Sequence, residues 1–378
     1  TKVLSQMSPE EIFRNYVRQI GIGGIAMAGI IGIIRSSGII KTAFSLAVSE
    51  IFGKHKTMDK VQRTQRDISM SIIVFGVLFV MILVLVFFMF GVVHNLTHAI
   101  VGLLIVMIIA FLFTTVAANA IAIVGSNPVS GMTLMTLILS SLIMVSVGLS
   151  GTSGMIAALI IGGVVCTALS MAGGFITDLK IGYWLGSSPF KQQTWKFLGT
   201  FVSAATVGGV IIILNKTYGF TGKDALAAPQ ANAMAAVIEP LMSGKGAPWL
   251  LYAGGAFLSL ILTMIGVPAL AFALGMFIPL ELNTPLLAGG LIAHFVSTRS
   301  KNEKINNARR ERGTLIASGF IAGGALMGVI SAILKYCKFD FINQVWLDSH
   351  ASEMLAIVMF IVLCAYFIWD TLRAKEEE

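Results

Sequence analysis

Between Asp67 and Asp178 the chain carries no Asp, Glu, Lys or Arg. The gap, Ile68 to Thr177, is 110 residues long. Water-facing domains use about one charged residue in four, so no soluble fold presents a surface from so long an uncharged stretch. As α-helix the gap would extend roughly 165 Å at ~1.5 Å per residue. A bilayer core is ~30 Å thick, which makes room for about four crossings with their turns. The chain therefore spends most of its length in lipid.

Composition agrees, with 56% hydrophobic and 12% charged residues. Lipid admits only helices or closed barrels, because every backbone N–H and C=O must find a partner within the protein. Barrel strands alternate polar and apolar residues. Runs such as Ile72–Phe90 are apolar on every face, so the expectation is an all-α, polytopic helical bundle. The net charge of +8 does not point to nucleic acid, since the basic residues sit in short connectors. They are densest at 54–66 and 299–312, which the positive-inside rule makes cytoplasmic loops. Cys166, Cys337 and Cys364 show no paired spacing and read as small packing residues.

The apolar segments are Gly21–Ile34, Ile68–Phe90, Ala99–Val124, Val129–Leu149, Ser153–Gly174, Thr194–Leu214, Pro248–Val267, Thr314–Leu334 and Glu353–Trp369. That is about nine spans in a single membrane domain over 1–378, with Ser37–Phe52 an amphipathic segment that lies at the interface or inserts. In the first span Gly21, Gly24, Ala28 and Gly32 recur at helical spacing, which favours close helix packing. Counting from a cytoplasmic Lys54–Arg66, the connectors at 126–128 and 178–196 return inside, while 94–98, 148–152 and the long Asn215–Ala247 loop face outside. The 299–312 loop and the tail after Arg373 are again inside.

Interruptions carry the functional signal, because unwound backbone at membrane depth survives only beside protein or a water-filled cavity. Gly125–Gly131 is one interruption: Pro128 ends a helix, and Ser126 and Asn127 can cap the next. A tight connector between spans is the plain alternative. Gly275–Gly290 is the second and splits 268–297 into two short halves, read as a re-entrant hairpin with Glu281 where they meet. Asn283 and Thr284 are cap candidates for a half opening at Pro285. An ordinary loop with a solvated Glu281 is the alternative there. Third comes Ile176–Gln193, where Asp178 and Lys180 are the first charges after the gap, beside Tyr183 and Trp184. No P-loop, HExxH or GxSxG motif occurs, which disfavours an ATP-driven pump or a standard hydrolase. No cofactor or metal site is expected.

Three ordered motifs, Asn127-Pro-Val-Ser-Gly-Met-Thr-Leu134, Thr177-Asp-Leu-Lys-Ile-Gly-Tyr-Trp-Leu-Gly-Ser-Ser-Pro-Phe-Lys-Gln-Gln193 and Gly275-Met-Phe-Ile-Pro-Leu-Glu-Leu-Asn-Thr-Pro-Leu-Leu-Ala-Gly-Gly290, resemble the oligopeptide transporter superfamily. The prokaryotic branch related to the yellow-stripe-like carriers is the most similar. The resemblance implies a proton-coupled secondary carrier of small peptides or metal–chelate complexes in the bacterial cytoplasmic membrane. It also implies a longer protein, of which this chain is similar to the C-terminal portion, so a missing N-terminal half or a second copy is an expected partner. The family's motif positions fall on Asn127, Pro128, Gly131, Asp178, Lys180, Gly182, Tyr183, Pro189, Pro279 and Glu281. The mechanistic expectation is that the Asn127–Gly131 and Pro279–Pro285 breaks line a polar cavity. Asn127, Pro128, Gly131, Tyr183, Asn283 and Thr284 would meet substrate there. Glu281 and Asp178 would handle the coupling proton, and Lys180 would form a cytoplasmic gate or ion pair with Asp178. A non-transporting membrane subunit or channel, and an intramembrane enzyme, are the competing classes.

Overall fold

A computed structural model of the chain describes residues 6–52, 62–124, 129–220, 229–243, 247–339, 344–347 and 349–375. The side chains of Glu281 and Leu282 are outside that description, as are a few others near helix ends. The described residues form helices joined by short connectors. In chain order these are α1 (Pro9–Ile12), α2 (Arg18–Arg35), α3 (Ser37–Phe52), α4 (Met70–Phe87), α5 (Leu96–Val124), α6 (Val129–Ser146), α7 (Gly151–Trp184) and α8 (Pro189–Tyr218). Then follow α9 (Pro229–Met242), α10 (Trp249–Met264), α11 (Ala269–Phe277), α12 (Leu280–Thr298), α13 (Glu303–Tyr336), α14 (Gln344–Leu347) and α15 (His350–Leu372). Single π turns, Phe13–Val17 and Phe88–Val92, join α1 to α2 and extend α4.

Among the described residues seven helices are long and apolar enough to cross a membrane, and two shorter apolar helices, Gly131–Ser146 and Trp249–Met264, accompany them. They correspond one to one with the apolar segments read from the sequence. The protein is an all-α polytopic membrane protein. Lipid-facing surfaces explain the exposed apolar side chains: on α4, Phe75 is 73% and Phe79 63% exposed.

The fold divides into two compact units, Thr1–Thr200 with Ala228–Ile278, and Phe201–Ala227 with Pro279–Glu378. In the first, α6 is the hub, packed on by α2, α5, α7 and α9. Its Leu134, Met135, Leu137, Ile138 and Met144 are buried against Ile161, Val165 and Leu169 of α7 and Val237, Ile238 and Met242 of α9. In the second unit, α12, α13 and α15 pack together, with Phe320 of α13 5.4 Å from Phe367 and 6.0 Å from Tyr366 of α15.

Glycine lets α2 approach its neighbours backbone to backbone. A Cβ on Gly23 would fall inside the main chain of Tyr252 on α10, and one on Gly255 would strike the carbonyl of Ile20. A Cβ on Gly24 would lie 2.9 Å from the Ala273 Cβ on α11, and one on Gly21 3.0 Å from the Phe277 nitrogen. The approach is fixed by a buried hydrogen bond, Ser259 Oγ donating to the Gly24 carbonyl at 2.8 Å. Small-residue contacts of this kind replace the hydrophobic drive that is absent between helices in lipid. The sequence spacing identified Gly21 and Gly24; Gly32, from the same pattern, has open space around it.

Contacts within each unit join connectors that charge counting assigned to the same membrane face. His98 Nε2 lies 3.3 Å from the Val147 carbonyl, and Arg63 Nη2 donates to the Gly186 carbonyl at 2.9 Å. Arg312 pairs with Asp370, and the Lys335 ammonium lies 4.9 Å from the Tyr218 ring centre.

Three expectations change. The 215–247 segment is not only a loop: it contains α9, whose Val237 and Ile238 are 1% exposed. The 299–312 loop is mostly helix, because α13 opens at Glu303, where Asn302 Oδ1 accepts from the Lys304 N–H at 3.0 Å. The two halves of 268–297 are unequal, 9 residues in α11 and 19 in α12, and α12 opens at Leu280 rather than Pro285. Pro279 supplies the extended N-cap, and Pro285 sits in the helix. Asn283 and Thr284 are consequently inside the helix and not ahead of a half opening at Pro285; the Asn283 N–H reaches the Pro279 carbonyl at 3.3 Å and Thr284 Oγ1 the Leu280 carbonyl at 2.9 Å.

Neighbouring glycines on α10 test the close approach. Gly255→Ala must push backbone apart and should cost about 1–3 kcal/mol, lowering the thermal midpoint in detergent. Gly254→Ala, which meets nothing within 4 Å, should leave the midpoint unchanged or raise it.

Candidate functional site

Helix α7 has 34 residues, or about 51 Å of helix at ~1.5 Å per residue. It outruns the ~30 Å hydrocarbon core by roughly 20 Å. Asp178 and Lys180 therefore ride on the last turns of a projecting helix, not in a connector as the sequence suggested. The helix stops in a Schellman motif. Gly186 takes φ +65°, its N–H donates to the Tyr183 carbonyl at 3.2 Å, and the Ser187 N–H donates to the Gly182 carbonyl at 2.8 Å. Pro189, at the first position of α8, restarts the chain as helix. This tight turn sets the base of α8 beside the end of α7.

The turn brings the polar groups of the two helices together. Asp178 forms an ion pair with Lys196 of α8. Gln192 Nε2 donates to the Asp178 carbonyl at 3.1 Å, and its buried Oε1 has no hydrogen-bond partner among the described residues. The Gln192 carboxamide packs directly on Gly182, so that a Cβ there would displace it. A hollow of about 380 Å³ opens beside the pair, lined by Phe175, Asp178, Ile181, Gln192, Trp195 and Lys196. The Lys196 ammonium lies 5.9 Å from the Phe175 ring centre.

The chain entering α4 clasps the same turn. The Phe190 N–H donates to the Arg66 carbonyl at 2.9 Å, and the Arg66 guanidinium lies 5.2 Å from the Phe190 ring centre. Gln193 bridges with both ends of its amide: Oε1 accepts from the Ile68 N–H at 2.7 Å, and Nε2 donates to Asp67 Oδ1 at 2.7 Å. The two charges that bound the uncharged gap, Asp67 and Asp178, are thus held by adjacent segments of α8.

This geometry corrects the pairing expected for Lys180. Two residues after Asp178 on a helix it points elsewhere, and it lies 5.6 Å from the Tyr183 ring centre and 5.3 Å from that of Trp184. Tyr183 is 74% exposed and outside the hollow, whose aromatic groups are Phe175 and Trp195.

Of the other expected site residues, Asn127 and Pro128 lie outside the described residues. Gly131 is buried in the first turn of α6, where a Cβ would be 2.9 Å from the Leu270 side chain of α11. Glu281 is in the first turn of α12. It belongs with Asn283 and Thr284 to the second unit, whereas Gly131 and Asp178 belong to the first.

Two features were missed. Thr133, Thr136, Ser140 and Ser141 form a buried hydroxyl face on α6, and Ser141 Oγ has no hydrogen-bond partner among the described residues. Their i, i+3, i+7, i+8 spacing was available in the sequence. Arg18, within the first candidate span, lies 5.2 Å from the Phe13 ring centre and 6.0 Å from that of Phe277, and its buried Nε has no acceptor among the described residues. An ionisable group in such a place is costly and marks function more often than packing.

A double-mutant cycle reads out the ion pair. Asp178→Asn with Lys196→Met should show a coupling of about 0.5–1 kcal/mol, as befits a half-exposed pair. Asp178→Asn with Lys180→Met should show a coupling near zero by the same stability measurement.

Comparison with known proteins places this architecture. No solved structure matches the chain. A protein of Haemophilus influenzae described as a "putative oligopeptide transporter" is 27% identical over 295 residues, covering 66% of this chain and 46% of the relative. The chain thus spans about half the length of that relative. The family model for OPT oligopeptide transporter proteins matches residues 1–335, which takes in all three motifs and both helix breaks, and the chain belongs to that family.

Proposed function

We propose that this protein carries small peptides across the bacterial cytoplasmic membrane, driven by the proton gradient. Membership of the oligopeptide transporter family over residues 1–335 is the observation that carries the reading. Metal–chelate complexes are the second substrate class.

The hollow beside Asp178 supports the reading chemically. A peptide is a zwitterion, and Asp178 with Lys196 offers a carboxylate and an ammonium that can exchange each other for the peptide's own termini. Gln192 Oε1, buried and without a hydrogen-bond partner among the described residues, can accept a peptide N–H. Phe175 and Trp195 add aromatic surface. Lys196 takes over the gating role first assigned to Lys180, since it holds Asp178 in the absence of substrate. Tyr183, exposed at the helix end, meets substrate at entry or exit, and Gly131 keeps the start of α6 close to α11. Glu281 binds the coupling proton, because a carboxyl in the first turn of a helix beside a break at Pro279 can change protonation as its surroundings change.

Uptake of a labelled tripeptide into proteoliposomes tests the proton role. Glu281→Gln should abolish accumulation driven by a pH gradient while leaving peptide exchange at equal concentrations within about threefold of wild type. Gradient-driven accumulation at the wild-type level in this variant would contradict the assignment.

A further inference from the structure

In the second unit, the start of α13 and the end of α15 enclose a hollow of about 890 Å³. Lys304, Arg312, Arg373 and Lys375 bring four cations to its wall, with Asn307 and Glu311. One of the four is already neutralised. Arg312 makes a two-point pair with Asp370, its Nη2 and Nε donating at 2.8 and 3.1 Å, and so ties α13 to α15. Against the remaining Lys304, Arg373 and Lys375 the wall sets one acid, Glu311, and Asp370, outside the wall, also attracts Arg373. Among the described residues none of these three cations forms an ion pair; Glu376–Glu378, which follow, lie outside the described residues. Like cations held around one cavity repel each other, so the arrangement favours an anion between them.

The position narrows the anion's source. The segment that opens α13 carries the densest basic run of the second unit, which places it at the cytoplasmic face, where lipids are anionic. Leu315, at the lipid-side end of the lining, is 73% exposed. Trp369, 56% exposed, lies beneath Arg373, whose guanidinium is 4.6 Å from the ring centre. Stacking orients the guanidinium while leaving its N–H edge free, the form that suits a phosphate. Leu315 in the lining and Trp369 under Arg373 add exposed apolar surface to a wall of cations, which matches a molecule whose phosphate continues into an acyl chain.

We propose that this hollow binds the phosphate-bearing headgroup of an anionic phospholipid. Lys304 and Lys375 neutralise it, Arg373 holds it by paired N–H donors, and Leu315 with Trp369 flanks the first part of its acyl chain. The site is on the second unit alone and is independent of the transport reading.

Native mass spectrometry of the purified full chain, titrated with phosphatidylglycerol or phosphatidylcholine, tests the proposal. Phosphatidylglycerol should bind at least about tenfold more tightly, and the preference should shrink as salt is raised. Lys304→Gln, Arg373→Gln and Lys375→Gln together should remove most of the preference and leave phosphatidylcholine binding unchanged. Equal binding of the two lipids by the wild type would overturn the proposal, and so would a preference that survives the triple substitution. The wild-type salt titration decides the matter without a variant, since a salt-insensitive preference would also overturn it. Millimolar inorganic phosphate should not displace the lipid; full displacement would show a soluble-anion site instead.

Discussion

The first unit depends on how closely α2 approaches α10 and α11. In lipid, two apolar helix faces gain nothing by leaving the solvent, so association rests on packing and interhelical hydrogen bonds. Gly23 and Gly255 remove the side chains at the crossing, the backbones meet, and Ser259 closes the contact on the Gly24 carbonyl. With α2 so placed, Ile22 and Ile25 are pressed into the core around α6. The same helix sets Arg18 against Phe277, at the end of α11 where the chain breaks before Pro279.

A second constraint organises the polar end of the first unit. Gly186 and Pro189 make a turn so short that the base of α8 starts beside the end of α7, and the side chains of Gln192 and Lys196 then reach Asp178. Asp67, Arg63 and Arg66 lock the entry of α4 onto that turn. The uncharged gap therefore starts and ends at one clasp. An ion pair that is half exposed contributes little to stability. A pair of this kind is readily exchangeable, which is what the proposed zwitterionic substrate would require.

Much of this was legible in the sequence because lipid imposes one rule on every span. The apolar runs gave nine helices in the right order, and counting charges gave faces consistent with the contacts of His98, Arg63 and Arg312. Helix α9 was missed because Glu239 and Pro240 interrupt an apolar pattern only fourteen residues long, although Val237, Ile238 and Met242 form its buried face. The spans of α7 and α13 were read too short, since a helix does not stop where the bilayer does. The stop signals for α7, Gly186 and Pro189, were in plain view. Lys196 was not chosen for Asp178 because 18 residues and a turn separate them, and nothing periodic connects the two. Gly255 was invisible for the same reason: its meaning depends on which helix crosses it.

The central claim is that this fold couples peptide movement to protons, and substrate-evoked proton flux measures it most directly. In proteoliposomes holding the full chain and a trapped pH dye, adding a di- or tripeptide outside should acidify the lumen, with no response to the free amino acids. A lumen that stays at constant pH while labelled peptide enters would contradict the account.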